Sequence, residues 1–481
     1  MSRHTKIVAT LGPSSSDPLI LEAIIRAGVD VVRLNFSHGK LEDHIALAAS
    51  VREIAARVGR TVGILADLQG PKIRVGKFED GKVTLEEGCH YILDAQCELG
   101  NQERAGLDYK DLPGDVSAGN VLLLDDGRIV LDVLRVAGHE IHTTIRHGGV
   151  LSNNKGINRQ GGGLSAPALT AKDMDDIKTA ALIGADFLAV SFPKSASDMY
   201  MARQLMLAAG SHALTIAKIE RVEAVAALAE ILDASDGVMV ARGDLAVEVG
   251  DAAVPALQKR MIRMARERNK LAITATQMME SMILSPIPTR AEVSDVANAV
   301  LDGTDAVMLS AETAAGKYPV QTVESMVRIC LEAEKSAEVT LDREFLDRVF
   351  SRIDQSIAMA ALFAAYHLKV KAIAALTQSG STALWMSRLN CGVPIYALTP
   401  EPKTLTKMTL YREVYPLLMK QTQSDRDVLL YDAERRLIDA GVVKNGDLIV
   451  LTIGEPIGTT GGTNTLKIVR VGEQQPHNLN Q

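Results

Sequence analysis

Eight short apolar runs, each ending at or beside a polar or charged residue, constrain this chain more than anything else in it. They are Lys6 to Thr10, Val31 to Asn35, Gly63 to Leu68, Phe187 to Phe192, Leu214 to Ile219, Gly237 to Ala241, Leu271 to Thr276 and Ala306 to Leu309. None has the polar alternation of a half-exposed strand, so they read as parallel strands covered on both faces. Segments with helical spacing follow most of them, such as Leu19 to Ala27 and Asp173 to Ile183. Strand then helix, with no hairpins between, predicts an α/β fold of βαβ units. Eight repeats imply closure into a TIM (β/α)8 barrel. The rival, an open doubly wound sheet, carries a Gly-rich phosphate-binding turn after its first strand. The turn here is Leu11-Gly12-Pro13-Ser14-Ser15, which fits no such fingerprint.

The rhythm breaks once, between Leu68 and Phe187. Residues from about 71 to 166 are rich in Gly, Val and Ile. Turn signals fall at Glu79-Asp80-Gly81-Lys82, Leu112-Pro113-Gly114 and Asp125-Asp126-Gly127. This predicts a small inserted β-barrel domain, because a structureless loop of that length is improbable. From about Phe345 a new α/β pattern begins: a helix over Gln355 to His367, strands at Ala372 to Leu376 and Pro394 to Thr399, a helix over Asp427 to Ala440, and a strand at Asp447 to Ile453. The expected division is therefore 1–70 with 167–344 as the barrel, 71–166 as the insert and 345–481 as a C-terminal α/β domain. At 481 residues the chain is too long for one core.

A formal net charge of −7 argues against nucleic acid as partner, which needs clustered basic residues. No run reaches the roughly 18 apolar residues of a membrane span, and the opening residues lack the apolar stretch of a secretory signal. Cys89, Cys97, Cys330 and Cys391 have no metal-binding spacing. The expected setting is the cytoplasm, with no membrane contact.

In a TIM barrel the active site forms where the strands end. The endings here are Thr10, Asn35, Asp67, Ser191, Lys218, Arg242-Gly243-Asp244, Thr276 and Ser310. Residues two apart on a strand point the same way, so Arg33, Asn35 and Ser37 share a face, as do Lys218 and Glu220. Asp244 ends the neighbouring strand, within reach of a cation held by Glu220. Two carboxylates with open positions suit magnesium, which keeps waters and takes phosphate oxygens. The alternative is a pair of salt bridges, to Arg221 or Arg242.

Several stretches resemble pyruvate kinase signatures. They are Ile216-Ala217-Lys218-Ile219-Glu220-Arg221, Arg33-Leu34-Asn35-Phe36-Ser37-His38-Gly39, Met239-Val240-Ala241-Arg242-Gly243-Asp244-Leu245, Ala275-Thr276-Gln277-Met278-Met279-Glu280-Ser281-Met282, and the run from Pro288 to Val300. The resemblance covers nearly the whole chain in the family's order. It implies transfer of the phosphoryl group of phosphoenolpyruvate to ADP, in glycolysis. By the same resemblance Arg33 binds the substrate phosphate, and Glu220 and Asp244 hold Mg2+ (or Mn2+). The backbone at Gly243 and Asp244, with Thr276 and Ser310, receives the rest of the substrate. Lys218 stabilises the phosphoryl group in flight and the enolate left behind. Arg74 and Lys155 match nucleotide-contacting positions, the insert acts as a lid, and the assembly is expected to be a homotetramer. A metal-dependent aldolase of pyruvate, or a catalytically dead barrel, would not need this whole set.

Many family members hold potassium at positions matching Asn35, Ser37, Asp67 and Leu68. They carry Glu at the position of Lys72 and commonly a hydroxyl residue at that of Leu68. The lysine's ammonium can supply the missing charge, so activity without K+ is expected. In the C-terminal domain, Thr377-Gln378-Ser379-Gly380-Ser381-Thr382 sits between a strand and a helix and forms a candidate anion pocket. The run Gly458 to Thr465 is expected to be a flexible second wall. The resemblance makes this the site of a phosphorylated allosteric activator, through Thr377, Ser379, Ser381 and Thr382. With no Lys or Arg in the loop, a sugar monophosphate or AMP is favoured over fructose 1,6-bisphosphate.

Overall fold

The computed structural model describes residues 3–336, 349–389, 391–420, 425–458 and 461–473. Eight parallel strands close a barrel: β1 (Lys6–Thr10), β2 (Val31–Asn35), β3 (Gly63–Asp67), β4 (Phe187–Val190), β5 (Leu214–Ile219), β6 (Gly237–Ala241), β7 (Leu271–Ala275) and β8 (Ala306–Leu309). Each pairs with its neighbours in sequence, and β1 closes on β8 with Lys6 opposite Ala306. Three apolar runs extend beyond their strands. Phe192 and Thr276 take positive φ (54° and 68°), which removes them from the ladder, and Leu68 lies one residue past the end of β3.

Local chemistry fixes the connecting helices. Asp17 caps Pro18–Ala27 by accepting from the Leu19 and Ile20 amides, and Leu21, Ile24 and Ile25 form its buried stripe. Thr170 and Asp173 form a capping box that starts Ala171–Leu182 earlier than its apolar periodicity suggests. These stripes pack on the outside of the strands in one core with Ile7, Ile64, Leu188 and Val238. Each such fully buried aliphatic side chain contributes about 1.5–3 kcal/mol.

The insert leaves after β3 and returns before β4. Gly70 makes the exit at φ 67°, and a Cβ there would lie 2.8 Å from that of Ser191. Six strands form one sheet, in the order Ile157–Arg159, Val121–Leu124, Ile129–Ala137, Glu140–His147, His90–Asp94 and Arg104–Gly106. Lys82–Leu85 pairs with Gly149–Ser152, and Lys77–Phe78 with Leu99–Gly100. Tyr91, Leu93, Leu131 and Ile141 are central to its own core. The expected turn at Leu112 is instead a single helical turn, Leu112–Asp115, because proline at the first helical positions suits a helix start.

The C-terminal sheet has the order Val414–Leu418, Ile395–Thr399, Ala372–Leu376, Leu448–Gly454 and Thr463–Arg470. The last strand is antiparallel, and it corrects the flexible wall expected over Gly458 to Thr465: Thr463, Asn464 and Thr465 belong to a paired strand. Thr459 and Thr460 lie outside the described residues, as do Phe345 and the expected domain start. One apolar core runs from the barrel floor (Val8, Leu65, Ile216, Ile273) into this sheet (Ile373, Ile395). Polar ties reinforce it. Arg388 is buried against Asp305 and donates to the Lys270 carbonyl at 2.8 Å, and Lys6 Nζ donates to the Val414 carbonyl at 2.6 Å.

Candidate active site

The C-terminal ends of β2 to β5 bring four charged groups together. Arg33, on β2, donates from Nε to Asp67 Oδ2 at 2.5 Å and from a guanidinium nitrogen to Thr10 Oγ1 at 3.0 Å. Lys218, on β5, lies 3.3 Å from Asp67 Oδ1 and 2.9 Å from Glu220 Oε1, and donates to Ser191 Oγ at 2.6 Å. The i, i+2 relation places Lys218 and Glu220 side by side, as the alternation requires. Asp67 and Glu220 are almost wholly buried.

Burial and charge pull against each other here. Burial works against ionisation of Asp67, but the cations of Lys218 and Arg33 outweigh it and hold that carboxyl below its usual range. Burial likewise opposes the Lys218 ammonium, yet Asp67 and Glu220 raise its pKa above the ordinary value. Glu220 goes the other way: burial raises it and the Asp244 charge adds to the rise, against the opposing pull of Lys218. Asp67 and Lys218 are thus charged, while the charge of the partly exposed Asp244 acts on the buried Glu220 carboxyl.

Asp244 opens the helix Arg242–Val249 that follows β6. Its Oδ1 is 3.2 Å from Lys72 Nζ. The arginines expected as carboxylate partners are engaged elsewhere. Arg242 forms a bidentate pair with Asp295 at 2.6 and 2.7 Å, and Arg221 stacks over Phe192. Lysines answer both carboxylates instead: Lys218 for Glu220 and Lys72 for Asp244. A multivalent cation fits this donor set, since both carboxylates face ammonium groups rather than a bidentate guanidinium, and one oxygen of Glu220 accepts the Phe192 amide at 2.8 Å.

Thr276 follows β7 with φ 68°, a costly conformation for a β-branched residue, and Gln277 comes next at 54°. Its hydroxyl accepts the Gly243 amide at 2.8 Å and donates to the Ala275 carbonyl at 2.7 Å. Ser310 follows β8, its amide held by Glu312 at 2.6 Å. Asn35 accepts the Ser37 amide at 3.1 Å, so its side chain is turned back on its own loop. Leu68 packs in the barrel core, and its carbonyl accepts the Ser191 hydroxyl at 2.7 Å.

Arg74 and Lys155 lie on adjoining segments of the insert, with Val75 N donating to the Lys155 carbonyl. Their side chains engage the insert itself: Arg74 the Asn154 carbonyl at 3.0 Å, Lys155 the Asp125 carboxylate at 2.7 Å. Between insert and barrel opens a cleft of about 410 Å³ lined by Lys72, Asp126, Gly243, Asp244 and Gln277, which Arg74 and Lys155 do not line. Sequence reasoning missed the Lys72–Asp244 contact and the cleft residues Asp126 and Gln277. Strand periodicity cannot foresee them, because they meet only when the insert folds back over β6.

In the C-terminal domain a pocket of about 50 Å³ is lined by Thr377, Ser381, Thr382 and Thr463, among others. Thr377 Oγ1 accepts the Gly380 amide at 2.9 Å, Ser379 donates to Ser381 at 3.1 Å, and the Thr382 hydroxyl is paired with that of Thr463 at 2.6 Å. Ser379 does not itself line the pocket; it stands between Gln378 and the hydrogen-bonded Ser381, which do.

A closed parallel barrel with a buried lysine between two carboxylates, a third acid in the helix after the next strand and a cleft beneath an inserted domain defines a phosphotransferase on a TIM barrel. Comparison with known proteins agrees at the level of the family. Residues 2–323 match the pyruvate kinase barrel domain and residues 355–469 the pyruvate kinase alpha/beta domain. The chain is 54% identical to pyruvate kinase II of Salmonella typhimurium, over 98% of this chain and 99% of that one. It is 54% identical to a pyruvate kinase of Haemophilus influenzae, over 94% and 96%. To one of Mycobacterium intracellulare it is 43% identical, over 98% and 99%. The chain belongs to the pyruvate kinase family. Membership makes it a kinase of glycolysis with a divalent metal cofactor. Among the described residues, no helix is long and apolar enough to cross a membrane.

Proposed function

We propose that Arg33, Lys218, Glu220, Asp244, Thr276 and the Gly243 backbone carry out the family's transfer of a phosphoryl group from phosphoenolpyruvate to ADP. The observation that supports this most is the buried lysine, with Lys218 Nζ 2.9 Å from Glu220 and 3.3 Å from Asp67. Arg33 and Lys218 flank Asp67, so both cations are preorganised on one side of the cleft where phosphate oxygens would lie. Glu220 and Asp244 would hold Mg2+ or Mn2+, which supplies positive charge to the phosphate oxygens and the enolate oxygen when bound.

The chemistry asks for positioning and charge. A terminal oxygen of ADP forms the new bond to phosphorus while the bond to the enol oxygen breaks. The electron pair of that bond remains on the enolate. Lys218 follows the charge from phosphoryl to enolate oxygen because it stands beside both. The Gly243 and Asp244 amides and Thr276 seat the substrate carboxylate, with Ser310 closing the pocket. A proton must then reach the enolate carbon. It comes from Thr276, whose hydroxyl must first leave the Ala275 carbonyl, or along a chain of ordered waters. Arg74 and Lys155 hold ADP once the insert closes and excludes water.

Residues 1–70 with 167–344 act as the catalytic unit, 71–166 as the lid and 345–481 as the regulatory unit. Support comes from the grouping of the sheets. Lys72 makes potassium unnecessary, since its ammonium already stands at the acidic side of the cleft. Asn35, Ser37, Asp67 and Leu68 then remain a vacant monovalent-cation position, with Asp67 already neutralised by Arg33 and Lys218. The pocket at Thr377, Ser379, Ser381 and Thr382 takes a phosphorylated activator, a sugar monophosphate or AMP. The working form is a cytoplasmic homotetramer. The test of the metal assignment is Mn2+ binding followed by its paramagnetic signal. Parent protein should bind tightly, and Glu220→Gln and Asp244→Asn weakly. Equal affinity in all three would remove the assignment.

A further inference from the structure

The outer face of the inserted sheet carries a second cluster suited to a metal, unrelated to the phosphoryl site. His90 and His142 stand on the adjacent antiparallel strands His90–Asp94 and Glu140–His147. The register sets Thr144 opposite His90 and Ile92 opposite His142, so the histidines are diagonal neighbours on one face. Tyr91, Leu93, Ile141 and Ile145 fill the core on the other. His142 Nδ1 is 3.3 Å from His90 Nε2, and His142 Nε2 is 3.1 Å from Glu140 Oε2.

We propose that His90 Nε2 and His142 Nδ1 bind a divalent transition-metal ion of imidazole-favouring type, Zn2+ being the best fit, with water in its remaining positions. Metal–nitrogen bonds of about 2.0–2.1 Å at the tetrahedral angle put two ligand nitrogens about 3.3 Å apart. That is the separation found, at which the two ring nitrogens also make a hydrogen bond that an incoming ion would replace. Glu140 makes the tautomer right. Its carboxylate accepts a hydrogen bond from His142 Nε2–H at 3.1 Å, which leaves the lone pair on Nδ1 facing His90. Carboxylate, imidazole and metal in line is the arrangement that orients metal-bound histidines. Arg104 holds the other oxygen of Glu140 at 3.1 Å and Asp94 at 2.8 Å, so the carboxylate is itself fixed.

Burial suits the same reading. His142 is 8% exposed and held by Glu140, while His90 is exposed and gives the ion a way in. Asp94, His139 and Glu140 form a competing trio with ligand atoms within 4.8 Å of one another. Arg104 sits on both of its carboxylates, and a cation there would have to displace the guanidinium. Magnesium is excluded from the histidine pair because it prefers oxygen donors in octahedral geometry.

The test uses the full chain in saturating Mg2+, which occupies the carboxylate site, and counts Zn2+ bound at equilibrium. The parent should take up one Zn2+ per chain more than His90→Gln or His142→Gln. Glu140→Gln should bind it about 10–100-fold more weakly. Cys89→Ser should bind as the parent does, which rules out the thiol next to His90. Co2+ in place of zinc should give the visible bands of a tetrahedral ion, absent in both histidine variants. Magnesium-supported turnover in the histidine variants verifies that they fold. Equal zinc uptake by parent and histidine variants overturns the proposal, and so does loss of uptake in Cys89→Ser.

Discussion

The ammonium of Lys72 lies 3.2 Å from Oδ1 of Asp244, although the two residues follow strands β3 and β6 on different sides of the barrel. The contact joins the root of the insert to an acid of the catalytic cleft. It places a positive charge beside one of the two acids proposed to hold the divalent metal, and the proposed independence from potassium rests on that charge.

Turnover should therefore persist when potassium is replaced by a bulky organic cation. Lys72→Glu removes the ammonium and adds a carboxylate, and it should convert the enzyme to one that needs K+. The check is the rate at fixed ionic strength across K+ and tetramethylammonium. A parent that stops without K+ contradicts the role given to Lys72.

Lys218→Met should lower turnover by about 10²–10³-fold or more, with only a modest change in phosphoenolpyruvate binding, because its charge acts mainly in the transition state. Steady-state kcat and KM measure the split directly. A rise in KM alone would mark Lys218 as a binding group. Glu220→Gln should also raise the metal concentration required for half-maximal rate.

Thr377→Val combined with Ser379→Ala should abolish activation by a sugar monophosphate or AMP at sub-saturating phosphoenolpyruvate. The rate without effector should stay unchanged. Full activation of the double variant would move the effector site elsewhere.

Glu413 joins the barrel to the C-terminal domain and titrates far from its usual range. Burial pushes its carboxyl up to about 8, with Glu334 adding and Arg412 and Lys6 opposing. Its amide donates to the His4 carbonyl, and its carboxyl faces His4 Nδ1 at 3.7 Å. A raised carboxyl pKa means the folded state binds the extra proton between about 4.5 and 8. Its contribution is therefore full at low pH and is lost as pH rises through that window. Thermal midpoints measured across it should fall with pH more steeply in the parent than in Glu413→Gln, the neutral isostere. Parallel curves would contradict the burial argument.

The barrel was legible because parallel strands buried on both faces leave unbroken apolar runs, and all eight strands lie within those runs. Lys218 and Glu220 were legible for a simpler reason: i, i+2 spacing on a strand needs no tertiary information. The lysine partners of Glu220 and Asp244 divide on the same line. Lys218 is local to Glu220, whereas Lys72 reaches Asp244 only through the return of the insert, which no periodicity encodes. Leu112-Pro113-Gly114 carries residues common to turns and to helix starts alike, and the local sequence does not choose between them. The strand Thr463–Arg470 was hidden by the glycines and threonines just before it, which read as a loop until pairing with Leu448–Gly454 is seen.

The most direct measurement is pyruvate formation from phosphoenolpyruvate, coupled to lactate dehydrogenase, with ADP and Mg2+ added or withheld one at a time. Pyruvate should appear only when both are present, with one ATP formed for each pyruvate. Pyruvate released at the same rate without ADP, or no pyruvate with both present, would contradict phosphoryl transfer at Lys218, Glu220 and Asp244.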